Sequence, residues 1–206
     1  MKRNLFSVTS EFDSKTVLSV GSFVLIATTL STILPLISTM GEQTTTIESN
    51  INKARQVIQA FNTGNVSNVS EFISPLYFNH ESQIDPVRGE LRGSEEFIDT
   101  IKNLRTAFPD LHHEEQIIIS QDNIVVSIIN VTGTLTGNFF ILPPTGKKIS
   151  YEAVHIYQIG EDGKIVEHKA IRDDLTFLAQ LGVIETSSSE YKPFFQALTG
   201  TTNSSR

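Results

Sequence analysis

Hydrophobic and polar positions change their rhythm partway along the chain. Ile47 to Asn62 sets Ile47, Ile51, Ala54, Val57, Ile58 and Phe61 at helical spacing, and Gly64 closes that helix. A second short helix is predicted over Val69 to Ile73, stopped by Pro75. Leu76 to Ser82 reads as a short strand carrying Tyr77, His80 and Glu81, and Ile84 to Gly93 as a loop. Ser94 is the expected N-cap of a helix over Glu95 to Ala107, which packs through Phe97, Ile98, Ile101, Leu104 and Phe108. From Leu111 onward the period is two. Strands are predicted over His112 to Ser120, Ile124 to Thr134 and Leu135 to Phe140, followed by a rigid turn at Leu142 to Gly146. A hairpin and a short helix, Asp174 to Leu181, closed by Gly182, complete the pattern. Helices first and an antiparallel meander after them define an α+β fold. Its expected form is a curved antiparallel sheet wrapped around helices and enclosing a cavity.

The hairpin within Tyr151 to Gly182 organises the candidate chemistry. Val154, Ile156 and Ile159 interleave with His155, Tyr157 and Gln158, and alternation resumes over Lys164 to Arg172. The loop Glu161-Asp162-Gly163, with glycine in the left-handed position, suits a type I turn plus bulge that pairs Gly160 with Lys164. Carried along both strands, this register sets Tyr151 opposite Asp173 and His155 opposite Lys169, all on one face. Burying such a set in a plain core costs several kcal/mol, so the face is either solvated or lines a wet or ligand-filled cavity. Both readings stay open on the residues alone.

Thr16 to Met40 contains no charged residue. At ~1.5 Å per residue, a helix of this length crosses a hydrocarbon layer of ~30 Å. Lys2, Arg3 and Lys15 precede the run and Glu42 and Glu48 follow it, which places the N-terminus on the cytoplasmic side. Residues 1–41 are therefore expected to be an N-terminal hydrophobic helix serving as membrane anchor or signal peptide, with the remainder outside the cytoplasm, membrane-anchored or secreted into the periplasm or medium. Residues 42–184 form the α+β domain, and residues 185–206 a loosely ordered tail.

Composition removes several classes of function. The chain of 206 residues has no cysteine, which excludes disulfides, thiolate metal sites and cysteine nucleophiles. Its formal charge is −7, and without a basic stripe no nucleic-acid partner is expected. His112 and His113 are adjacent on a strand and point to opposite faces, so no metal site is expected there. Glycine-rich phosphate loops, HExxH and the serine-hydrolase elbow are absent. Asp173 is the best catalytic candidate: it follows a strand and opens a helix, so it could equally be the N-cap, and Asp174 could take that cap and free Asp173 for the cavity. His80 and His155 lie on separate strands whose inner faces could converge.

GSEEFIDTIKNLRTAFPDLHHE, GTLTGNFFILPPTGKKISYEAVHIYQI and DGKIVEHKAIRDDLTFLAQLG together resemble the SnoaL-like polyketide cyclases, also called ester cyclases, over roughly His80 to Val183. The resemblance implies the nuclear transport factor 2-like cone, with helices and a bent sheet around a central pocket, and a homodimer formed through the sheet. It implies an intramolecular aldol-type ring closure of a small apolar carbonyl compound, without metal or cofactor. The family's pocket aspartate falls on Asp173 as acid/base, its pocket histidine on His155, and its histidine near the first strand on His80. Tyr151, which could orient the carboxylate, and Lys169, Phe140 and Leu135 are expected to line the substrate pocket with His80. Lys169 replaces the family's usual tryptophan, and Leu135 and Ile141 depart from its usual pattern. An apolar pocket raises an aspartate's pKa from about 3.9 towards a useful base. Two alternatives are a non-catalytic module binding a hydrophobic ligand at a membrane, and a hydrolase or isomerase on the same scaffold.

Overall fold

Strand alternation in the second half of the chain builds a single five-stranded sheet in the order β1-β5-β4-β3-β2. The computed structural model describes residues 42–84 and 88–184. The anchor or signal peptide expected within 1–41 and the tail at 185–206 lie outside the described residues. Among the described residues, no helix is long and apolar enough to cross a membrane. The elements are α1 (helical over 42–63), β1 (Ile73–Asn79), α2 (Gly93–Ala107), β2 (His112–Gln121), β3 (Ile124–Thr134), β4 (Lys148–Ile159), β5 (Ile165–Arg172) and α3 (Asp174–Leu181). Residues 42–46 are exposed helix and belong to a different unit from the one that begins at Ile47.

The predicted helical face of α1 is buried: Ala54, Val57, Ile58 and Phe61 enter the core. Asn62 fastens the end of α1 to the edge strand β2, donating to the His113 carbonyl at 2.9 Å and accepting its N–H at 2.7 Å. Arg105 of α2 donates to the carbonyls of Phe61, Asn62 and Pro109 at 2.7–3.0 Å. It thereby satisfies carbonyls that a helix end leaves without partners. Phe97 of α2 meets Phe61, Phe72 and Tyr77 edge-on, the favoured geometry for packed rings.

Four local expectations are corrected. The residue flanking α2 is Arg92, and no side chain caps the helix, so Ser94 is not the N-cap. Val69–Glu71 is one turn of 3-10 helix. The strand expected at Leu76 to Ser82 starts earlier, at Ile73, and runs parallel to β5, so the sheet is mixed at that edge. The segment Leu135 to Phe140 is a loop, because the N–H groups of Thr136 and Gly137 both bond the Ala107 carbonyl at the end of α2 rather than a neighbouring strand. A side chain at position 137 would stand 1.9 Å from the Thr106 carbonyl oxygen, which is why glycine sits there.

The hairpin turn forms as predicted: Gly160 donates to the Lys164 carbonyl at 2.8 Å, and Gly163 adopts φ 70°. The register beyond it does not hold. Ile159 pairs with Ile165, but Gln158 pairs with Glu167, which leaves Val166 as an extra residue on β5. One added residue exchanges the two faces of a strand. His155 therefore faces Ala170 and Tyr157 faces His168, in place of the expected His155–Lys169 and Tyr151–Asp173 pairs.

Candidate active site

The concave face of β4 presents Ile149, Ala153, His155 and Tyr157, all buried, and the bulge turns His168 of β5 to the same side. With α1 and α2 behind them, Ile149, His155, Tyr157 and His168 line a cavity of ≈ 160 Å³. Its wall is apolar around Phe61, Phe97, Phe108 and Phe177 and polar around His155, His168, Asn79, Glu81, Tyr151 and Arg172.

Two histidines are joined ring to ring. His155 Nδ1 lies 2.8 Å from His168 Nε2, and His168 Nδ1 lies 3.0 Å from Asn79 Oδ1. Tyr157 stacks on His168 with ring centres 5.2 Å apart, and His113 stacks on Phe61 at 4.7 Å. Burial disfavours the imidazolium form of all three rings. His113 and His168 are each lowered to about 3, and His155 falls well below its usual range, with His168 and Arg172 adding to the effect. All three are therefore neutral at physiological pH. Burial holds Tyr157 and Tyr77 protonated and raises Tyr151 to about 12.

Arg172 reaches the cavity wall from the end of β5. It is held by Glu81 at 3.0 Å and by Asp174 at 3.1 Å. Burial works against its charge, but the two carboxylates outweigh that and keep it above its ordinary value. Burial pushes Glu81 up, while Arg172 pulls it back. The result is a permanent cation, fixed in direction, beside two neutral imidazoles.

The structure brings His155 and Tyr151 together at the cavity and places Phe140 at its rim, 66% exposed with φ 51°. The other expected site residues lie elsewhere. Asp173 is exposed; its Oδ1 accepts the Thr176 N–H at 3.0 Å as the N-cap of α3, and bonding from Thr176 holds its carboxyl below the usual range. Of the two aspartates that could cap α3, Asp173 does so, while Asp174 pairs with Arg172. Lys169 faces outward and pairs with Glu167 at 3.0 Å. His80 also meets Glu167, at 2.5 Å, outside the cavity. Leu135 is fully buried in the core and does not line the cavity. Sequence reasoning missed His168, Asn79, Glu81 and Arg172 as cavity residues. A usable signal was present: keeping Lys169 inward would have buried an ammonium while turning His168 to solvent.

A mixed-sheet cone closed by helices around a cavity with neutral imidazoles and a fixed cation defines a ligand-enclosing α+β domain. The SnoaL-like polyketide cyclase model matches residues 52–181, and the chain belongs to that family. It is similar to the aklanonic acid methyl ester cyclase DnrD of Streptomyces peucetius, 33% identical over 138 residues, covering 66% of this chain and 92% of that protein. It is also similar to the nogalonic acid methyl ester cyclase of Streptomyces nogalater, 31% identical over 127 residues, covering 61% of this chain and 92% of the relative. Among solved structures, wild-type IdmH of Streptomyces antibioticus superposes with a TM-score of 0.53 at 26% identity, covering 65% of this chain and 98% of that one. AclR of Streptomyces galilaeus, at 22% identity and a TM-score of 0.58, shares the fold over 75% of this chain and 94% of its own.

Proposed function

We propose that the protein is a cofactor-free cyclase that closes a ring in the methyl ester of a polyketide acid, with His155 as the base. The observation that carries this reading is the neutral His155 at the cavity, bonded through Nδ1 to His168 and close enough to Arg172 to feel its charge. The similarity to two named methyl ester cyclases supports the substrate class.

In the reaction, His155 removes a proton α to an activated carbonyl, and the electron pair moves onto the carbonyl oxygen as an enolate. The enolate carbon attacks a second carbonyl of the same molecule, and the new alkoxide recovers the proton. The sequence is an isomerisation without net gain or loss of protons or electrons. Low basicity weakens a buried imidazole as a base, but the enolate forms beside Arg172 and Tyr151. A hydroxyl and a cation held by two carboxylates stabilise that developing charge without having to reorient as it forms. A cavity of ≈ 160 Å³ is close to one that holds a benzene ring (about 150 Å³). The reacting ring enters, and the rest of the substrate extends past Phe139 and Phe140. Replacing His155 by glutamine should lower turnover of a polyketide methyl ester about 10²- to 10⁴-fold with the fold intact by circular dichroism. Unchanged turnover would remove His155 from the reaction.

Two further features belong to this reading. The convex sheet face carries the cross-strand row Ile117–Ile128–Val154–Ile171 and beside it Ile119, Val126 and Ile156. Ile117, Ile119 and Ile171 are 52–67% exposed, which supports a homodimer through the sheet. The uncharged run from Thr16 to Met40 supports a membrane-anchored or exported placement; recovery of the uncleaved chain in a cytosolic soluble fraction would contradict it.

A further inference from the structure

The polar chain behind His155 ends on a carboxyl group shut away from the cavity. Glu96, in the first turn of α2, is 1% exposed. Its Oε1 accepts from Asn79 Nδ2 at 2.9 Å, from Thr100 Oγ1 at 3.0 Å and from Ser82 Oγ, and its Oε2 has no protein partner. An amide that gives its nitrogen to a carboxylate must offer its oxygen on the other side. Asn79 Oδ1 does so, accepting the Glu81 N–H at 3.1 Å. The orientation of Asn79 is thus fixed from both ends.

The consequences propagate. His168 Nδ1, facing that oxygen, has to donate, so His168 Nε2 carries a lone pair. His155 Nδ1, facing that lone pair, has to donate in turn, which leaves His155 Nε2 with the free lone pair. Free histidine prefers the opposite tautomer. Two successive rings hold the Nδ1–H form here because the line of bonds from Glu96 is intact.

We propose that Glu96 is a positioning residue, which acts through Asn79 and His168 to keep His155 as an Nε2 base and to draw charge away from it during turnover. The role rests on His155 being the base. When His155 Nε2 takes the substrate proton, its Nδ1 proton passes to His168 Nε2: one N–H bond breaks, another forms, and the positive charge moves to His168. There it is separated from the Glu96 carboxyl by a single amide, with Arg172, His80 and His113 opposing it from the other sides. The reverse shift returns the proton to the alkoxide.

Long-range proton–nitrogen correlation spectra of the ¹⁵N-labelled full chain at neutral pH read which ring nitrogen carries the proton. Nδ1–H is expected at both His155 and His168, in the wild type and in Glu96→Gln, whose amide oxygen still accepts. In Asn79→Leu, His155 should revert to Nε2–H. A catalytic imidazole held in the wrong tautomer can lose up to about 10⁴ in kcat, so Asn79→Leu should lower kcat at least about 100-fold with KM within about threefold. Glu96→Gln should lower kcat about tenfold at neutral pH with KM within about threefold, because the neutral amide cannot offset the imidazolium that forms during turnover. Nε2–H at His155 in the wild type overturns the Glu96 relay whatever the activity. An unchanged kcat in Glu96→Gln does the same, even if Asn79→Leu fails to fold. Wild-type turnover in His155→Gln with the tautomers as expected overturns the assigned base, and with it the catalytic role of Glu96.

Discussion

Each face of the sheet carries residues that are unusual for its surroundings: polar rings among the buried aliphatic side chains on one, aliphatic rows among the exposed polar ones on the other. The concave face, buried under helices, holds His113, His155 and His168 with Tyr157, while the convex face, open in one chain, carries two rows of isoleucine and valine. Neither arrangement is stabilising by itself. Buried imidazoles cost free energy unless their hydrogen bonds are met, and an exposed aliphatic face costs free energy until something covers it. The contrast fits the proposed reading, in which a ligand occupies the inner face and a second copy covers the outer one.

Acid is the strongest way to break the inner face. Free histidine takes up a proton near about 6.5, whereas His113 and His168 do so only at about 3 and His155 far below its usual range. Between those limits the unfolded chain binds more protons, so stability falls as pH drops through that window and is flat with respect to these groups above it. Urea titrations should show uptake of about three protons on unfolding near pH 5, with a loss of several kcal/mol, enough to unfold a domain of ordinary stability by about pH 4. His113→Phe should reduce the uptake by one proton; an unchanged slope would locate the acid sensitivity elsewhere.

Charge is the corresponding way to break the outer face. Burying an aliphatic side chain is worth about 1.5–3 kcal/mol. Ile128→Glu combined with Val154→Glu should therefore raise the dimer dissociation constant at least about 10³-fold by sedimentation, while turnover per chain at saturating substrate stays within a fewfold. A wild type that sediments as a monomer at high concentration would end the two-occupant reading.

The smallest effect separates the faces from the helix end between them. Asp173→Ala removes the cap of α3 and should cost about 1 kcal/mol, read as a modest drop in melting temperature, with kcat within about twofold. A collapse of kcat with stability unchanged would return Asp173 to the reaction and require the end of β5 to turn inward with substrate bound.

Much of the fold was legible because it follows from local rules. Helical spacing gave the buried face of α1; alternation gave β2, β3 and β4; glycine in the left-handed region gave the turn at Gly163. The loop after Leu135 was misread because its backbone donors are claimed by Ala107, a partner distant in sequence. The site was legible only in part. His155 stands where strand alternation places it, but the partners expected around it depended on a register that one residue, Val166, displaces.

The sequence by itself determined the α+β architecture, the identity of the hairpin and the placement of Tyr151, His155 and Tyr157 on one strand face, because the periods of helix and strand are fixed by backbone geometry. Only the tertiary structure decided which β5 residues meet that histidine. The Ile165 N–H bonds to the Phe72 carbonyl at 2.8 Å and β1 lies parallel alongside, a pairing between segments some ninety residues apart that no local pattern encodes. That pairing sets His168 against Asn79 and leaves Lys169 in water, so the polar chain of the cavity is a product of strand docking rather than of spacing along the chain.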